Sequence, residues 1–271
     1  MKTLEDYKEA GRELYHKLHL STYPIAIKYI KDVSEIPEGV QRPSLLGQKW
    51  SLCQAFTYAR RAGLSVAMTS DDNFCTPSTV AQGWEDVSYD DFIQSQVLQG
   101  WHKDREAEEK VSSHDRVAST GHKGFICSPL PESVVVPDSV LVYGTAANIT
   151  HIIHALAYDG ENVPTSSFCG YRESCSKGAL LPFITQKPQI VMPGAGDRML
   201  AGTYDHEIAI GLPAILLFTV MEHLFATGGL MNMGQPVRTL LSQSMTEDVT
   251  PGFKFMREKI DESKRKKGQL K

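Results

Sequence analysis

The chain has 271 residues, 41% of them hydrophobic and 22% charged, which is enough apolar material for a sizeable core and too much for a disordered tail. Lys plus Arg number 28 against 32 Asp plus Glu, and the resulting net charge of -4 argues against a dedicated nucleic-acid binder. The apolar uncharged stretch Ile208 to Met221 has 14 residues with Gly211 and Pro213 inside it, short of the ~20 that a bilayer crossing needs, and no apolar segment follows the charged start Met1 to Lys8, so neither export nor a membrane partner is expected and the chain reads as cytoplasmic.

Thr3 caps a helix that runs to about Lys17, with Leu4, Tyr7, Leu14 and Leu18 near one face. Pro24 to Ile30 is short, β-branched and bounded by proline, and reads as a strand. Pro37, Gly39 and Pro43 mark a loop. Cys53 to Ala62 favours a helix closed by Gly63, and Leu64 to Thr69 a second strand. The polar loop Ser70 to Asn73 leads to Phe74-Cys75, after which Thr76 as N-cap and Pro77 at the first helical position start a helix. A polar helical insert follows from Tyr89 to Val111, anchored along one edge by Trp84 and Trp101.

Gly124 to Pro129 is apolar and strand-like, and Val134 to Val136 and Val140 to Val142 read as strands around the Pro137-Asp138 turn. Asn148 is the expected cap of a helix from Ile149 to Tyr158, closed near Gly160. An extended piece, Asn162 to Ser167, leads to Phe168-Cys169 and then to a helix beginning at Cys175-Ser176. Gln189 to Met192 precedes a tight turn, Pro193 to Arg198, and a strand over Glu207 to Ile210. Pro213 opens an apolar helix through Phe225, stopped by Gly228-Gly229; beyond Gly234 the chain reads as peripheral, and Lys264 to Lys267 as a solvated basic end.

The element order predicts an α/β fold, with mixed sheets and flanking helices. It also suggests two degenerate internally repeated halves, each running strand, helix ending in Gly, extended segment, cysteine, helix: Gly63 answers to Gly160, and Cys75 to Cys175. The corresponding division is 1–120 for a first half with its polar helical insert, 121–235 for a second half, and 236–271 for a peripheral tail.

Five cysteines are an odd number and too few for a disulfide scaffold, so reduced thiols are expected. Cys53, Cys75 and Cys175 each sit at or just before a helix start, where free N–H groups favour a thiolate. Three such thiolates brought together suit an iron–sulfur cluster, with zinc as the simpler alternative. The spacing itself, without C-x-x-C or a ferredoxin-like run, is equally that of structural cysteines. Cys127, in an apolar strand, reads as core filler. Cys169 lies six residues before Cys175, beside Gly170 and Arg172, and reads as a fourth ligand or a redox partner.

Taken in order, Ser51-Leu-Cys-Gln-Ala55, Asn73-Phe-Cys75, the pair Pro129-Leu130 and Pro137-Asp-Ser-Val-Leu-Val142, and Pro193-Gly-Ala-Gly-Asp-Arg198 resemble the domain-of-unknown-function 169 family, over roughly Leu4 to Leu217. The resemblance implies scattered, cluster-binding cysteines of the kind found in anaerobes and archaea, at Cys53, Cys75 and Cys175. It also marks a departure, because Gly194 to Arg198 contains no cysteine where the family has one. Asp197 could then supply an oxygen, Cys169 could substitute, an iron could stay open to substrate, or there could be no cluster. The cofactor expected is a [4Fe-4S] cluster in preference to [3Fe-4S], serving electron transfer, cofactor handling or redox chemistry at a differentiated iron.

Two other readings stand beside it. One is a metal-free module that holds a small anion at the same helix starts with Arg172 and Arg198. The other is a thiol enzyme with Cys169 or Cys175 as nucleophile and His206 as base. The sequence leaves open whether the chain is an enzyme. His151 and His154, and Asp205-His206-Glu207, are weaker candidates for metal binding and for acid–base work. The two glycines of Pro193 to Arg198 fall short of a dinucleotide fingerprint, and no G-x-S-x-G elbow is present. A redox partner protein is expected, and so is a homodimer formed through the helix from Pro213 and the Met-rich segment after it.

Overall fold

The computed structural model describes residues 2–113, 120–224, 226 and 251–267. In chain order the elements are α1 (Leu4–Lys17), β1 (Ile25–Ile30), α2 (Leu52–Ala62), β2 (Val66–Thr69), α3 (Thr76–Ala81), α4 (Tyr89–Gln99), α5 (Arg105–Ser112), β3 (Gly124–Pro129), β4 (Ser139–Gly144) and α6 (Ala146–Ala157). There follow a π-helical segment (Glu173–Leu180), α7 (Leu181–Thr185), β5 (Gln189–Val191), α8 (Ala195–Ala201), β6 (Ile208–Pro213), α9 (Leu216–His223) and α10 (Pro251–Lys266). The strands make one sheet in the order β2-β3-β1-β4-β6-β5, antiparallel at every pairing. The fold is thus mixed α/β, a six-stranded sheet with flanking helices.

Both faces of the sheet are covered, which is why its strands are apolar at nearly every position instead of alternating. Ile25, Ile27, Tyr29, Met68, Phe125 and Tyr143 point to one face, where α2 and the π-helical segment pack. Their neighbours Ala26, Val140, Val142, Ile210 and Leu212 point to the other, against α1, α6 and α9. Each fully buried large side chain contributes roughly 1.5–3 kcal/mol, so this two-sided burial is what holds the layers together. Cys127 is buried in the first of these clusters, as its apolar setting predicts.

The internal repeat is not confirmed. The helix between β1 and β2 packs on one face of the sheet, and the helix after β4 on the other. Strands from both proposed halves share the sheet, with β1 pairing to both β3 and β4.

Several local expectations shift. Val134 to Val136 is not a strand. The chain leaves β3 through a 3-10 turn at Leu130–Glu132, and the Ser133 hydroxyl then accepts the Val135 N–H (3.3 Å) and donates to its carbonyl (2.7 Å). Thr145, and not Asn148, is the N-cap of α6; Asn148 completes a capping box and donates to the Leu18 carbonyl (2.7 Å), tying α6 to the end of α1. Cys75, and not Thr76, occupies the N-cap position of α3, without a side-chain capping bond. Pro193 to Arg198 is the entry to α8, with Gly194 as N-cap, instead of a free turn. The apolar helix expected from Pro213 spans Leu216–His223; Phe225, Gly228-Gly229, Met231, Met233 and residues 236–250 of the expected tail lie outside the described residues. The basic run ends on α10, most of whose side chains are exposed.

Candidate functional site

Two local devices bring the first two cysteines together. Ser51 caps α2 reciprocally with Gln54: the Gln54 N–H donates to the Ser51 hydroxyl (3.2 Å), and the Ser51 N–H to the Gln54 carboxamide oxygen (2.8 Å). Cys53 thereby falls in the first turn of α2. Immediately before it, Trp50 and Asn73 form an isolated parallel β-bridge, in which the Trp50 N–H donates to the Asp72 carbonyl (2.8 Å) and the Phe74 N–H to the Trp50 carbonyl (3.2 Å). That bridge sets the start of α2 beside the start of α3. Asn73 then fixes the second cysteine, its Oδ1 accepting the Cys75 N–H (3.0 Å) and its Nδ2 donating to the Thr79 hydroxyl (2.8 Å).

Cys175 arrives from a distant part of the chain, on the π-helical segment. That segment lies directly on β6, where a Cβ on Gly211 would run into the Gly178 carbonyl oxygen. Gln82, at the end of α3, donates through Nε2 to the Cys175 carbonyl (2.6 Å). Asp197 sits in the first turn of α8, its Oδ2 accepting the Gly194 N–H (3.1 Å), with the Tyr143 hydroxyl 3.4 Å from Oδ1. α8 is in turn tied to α2, the Thr57 hydroxyl donating to the Ala201 carbonyl (2.9 Å).

Cys53, Cys75, Cys175 and Asp197 all line one cavity of about 170 Å³. Trp101, Tyr171 and Arg172 line it too. The Trp101 and Tyr171 rings stack 5.8 Å apart and 4° from parallel, and the Arg172 guanidinium lies 4.3 Å over Tyr171. Arg172 also donates to the Gln96 carboxamide (2.5 Å) and to the Ser112 hydroxyl (2.9 Å).

The electrostatics of the group follow from crowding acids. A hydrogen bond with the Cys175 thiol, then burial, then the negative charge of Asp197 and of the other two thiolates, hold the Cys53 thiol well above its ordinary range. Burial, and next the Cys175 thiolate, push Cys75 up, while Ser78 and the Arg172 charge pull it part of the way back. Burial raises Asp197 despite the donors around its carboxylate. Burial and, for the two cysteines, neighbouring acids thus disfavour the charged forms of Cys53, Cys75 and Asp197, a cost that a bound cation offsets. Beside Cys175, the Tyr29 hydroxyl and the Gln82 carboxamide oxygen are buried with no hydrogen-bond partner among the described residues.

The other sequence candidates lie elsewhere. Cys169 does not line the cavity. Its thiol meets the Lys177 ammonium (3.3 Å) and the Tyr171 carbonyl (3.2 Å), and Lys177 pairs with Glu173 (3.2 Å) in a buried couple. Arg198 turns to the Tyr204 carbonyl (2.7 Å) and the exposed Asp205 (3.5 Å), away from the cysteines. His206 stacks on Tyr204, and Glu207 is committed to Arg60 and Arg61. His151 is buried on α6 while His154 is exposed. Sequence reasoning passed over Tyr143, which reaches Asp197 from the floor of the sheet, and it read Trp101 as an anchor for a helix; nothing in the local sequence marks either as facing cysteines. Among the described residues, no three His, Cys, Asp or Glu side chains stand in the geometry of a single metal ion.

A family model for DUF169, described as uncharacterised ArCR, matches residues 13–223. The uncharacterised protein MJ0308 of Methanocaldococcus jannaschii is 22% identical over 221 residues, covering 81% of this chain and 94% of that relative. No solved structure matches the chain. The match runs from α1 to α9 and takes in the whole sheet and all four residues of the cysteine–aspartate cavity; the chain belongs to the DUF169 family.

Proposed function

We propose that this protein holds an iron–sulfur cluster through Cys53, Cys75 and Cys175, with Asp197 beside the remaining position, and acts in electron transfer, cofactor handling or redox chemistry at that position. The observation that carries the reading is the meeting of three cysteines and a carboxyl group, distant in sequence, on one cavity. The donor set fits. Thiolates are the usual ligands of such clusters, and each iron takes its own, so cluster ligands stand further apart than those of one ion. The raised Cys53 and Cys75 thiols support the same reading, since a cation bound between them would offset the cost of their ionisation. Such a cluster would supply one-electron chemistry, and its iron facing Asp197 would be the one open to exchange. Arg172 would offset part of the negative charge of the bound group. A [4Fe-4S] form, a redox partner approaching past the half-exposed Trp101, a homodimer and a reducing, cytoplasmic setting belong to the same proposal.

The test is purification without oxygen, followed by measurement of iron, acid-labile sulfide and visible absorption. The expected protein is brown and contains both elements. Cys53→Ala, Cys75→Ala and Cys175→Ala should each lose or convert the chromophore, whereas Cys127→Ala and Cys169→Ala should keep it. A colourless protein after anaerobic reconstitution with iron and sulfide would refute the proposal.

A further inference from the structure

A second cavity, of about 300 Å³, opens at the opposite end of α2, where Arg60 and Arg61 occupy the last turn. Tyr15, Tyr23 and Tyr204 stand around it, and the Thr22 hydroxyl is buried in its wall. Arg60 is fully buried. It forks onto Glu207 through both terminal nitrogens (2.5 and 3.1 Å), with its guanidinium 4.1 Å over the Tyr143 ring. Arg61 reaches the same carboxylate with one nitrogen (3.1 Å) and lies 4.1 Å over the Tyr204 ring.

The charges in this cavity do not balance. Among the described residues, Glu207 is the one carboxylate that pairs with either arginine, so two guanidiniums share one counter-charge. Glu207 is itself fully ionised at neutral pH: burial pushes its carboxyl up, but the hydrogen bonds from Arg60 and the Tyr204 amide, with both guanidinium charges, outweigh that and hold it below the usual range. The Nε atoms of Arg60 and Arg61 are buried and have no partner among the described residues. Arg61 lines the cavity with about a quarter of its side chain exposed and no carboxylate of its own, so it is the cation that an anion entering there would meet.

We propose that this cavity binds a phosphate group carried by a small molecule. A planar carboxylate uses one arginine fork, and Glu207 already takes the one on Arg60. The remaining donors, on Arg61 and Thr22, come from different elements and so from different directions, which suits a tetrahedral oxyanion. The cavity is also larger than a bare ion requires and lies at the lower end of small-molecule pockets, so the tyrosine rings are left to take a flat or sugar-like body. This site shares α2 with Cys53 but does not depend on any cluster being present.

The test is calorimetric titration of the purified full-length protein with inorganic phosphate, adenosine monophosphate, adenosine and benzoate. Both phosphate compounds should bind saturably, adenosine monophosphate more tightly and with a Kd below roughly 1 mM, while adenosine and benzoate should not. Arg61→Ala should weaken phosphate binding by about tenfold or more, with the far-ultraviolet circular dichroism unchanged, and Arg61→Lys should recover part of it. No saturable binding of either phosphate compound would overturn the proposal. So would binding that Arg61→Ala leaves unchanged, or benzoate binding as well as phosphate does.

Discussion

Cys53 and Cys75 hold their protons more tightly in the folded protein than an unfolded chain would. That difference has a definite sign for stability. An unfolded thiol releases its proton near pH ~8.5, while the folded one keeps it, so the unfolded state binds fewer protons above that pH and stability falls as pH rises. The metal-free protein should therefore be fully stable with respect to these groups at neutral pH and should lose stability between about pH 8 and pH 10. Urea midpoints measured across that range should fall more steeply for the native sequence than for Cys53→Ser. Parallel curves for the two would mean that Cys53 does not feel its neighbours. Loading metal should abolish this fall in the native protein, because thiolates bound to metal no longer keep protons that the unfolded chain releases.

At the scale of elements, the position of Cys175 depends on how closely a helical segment can approach a strand. Gly178 and Gly211 allow the π-helical segment to lie on β6 with no side chain between them. Gly211→Ala should push the segment off the sheet, costing about 1–3 kcal/mol as overpacking does, and should impair cluster loading more than the loss of stability alone explains. A variant that melts lower but loads normally would show that Cys175 is placed by something else. Much of this layer was legible in the sequence. The helix from Cys53 to Ala62 closed by Gly63, the Thr3 cap and the strands β1, β2 and β4 follow from helix-favouring and capping residues and β-branched runs, which are local signals. The errors have two causes, a competing local side chain and a longer-range partner. Val134 to Val136 has strand composition, but the Ser133 hydroxyl binds its backbone. Asn148 looks like a cap, yet its amide is used to reach Leu18. The meeting of Cys53 with Cys75 rests on the Trp50–Asn73 bridge, a pairing that the motif Asn73-Phe-Cys75 does not itself reveal.

On the scale of the whole molecule, one antiparallel sheet gathers residues from across the chain onto a common face. Its β4 supplies Tyr143, which lies beneath Arg60 on one side and reaches Asp197 on the other. α2 spans the same distance, with Cys53 in its first turn and Arg60 and Arg61 in its last. The cysteine cavity and the arginine cavity thus stand at the two ends of one helix, over one tyrosine. The sequence could nominate Cys53, Cys75, Cys175 and Asp197 one by one, but only the fold brings them to a shared cavity. The most direct test is diffraction from anaerobically grown crystals, with data collected on both sides of the iron absorption edge. The account predicts anomalous density for several irons between the sulfur atoms of Cys53, Cys75 and Cys175, with Asp197 facing the iron that lacks a cysteine. Density without iron between the three sulfur atoms would contradict it.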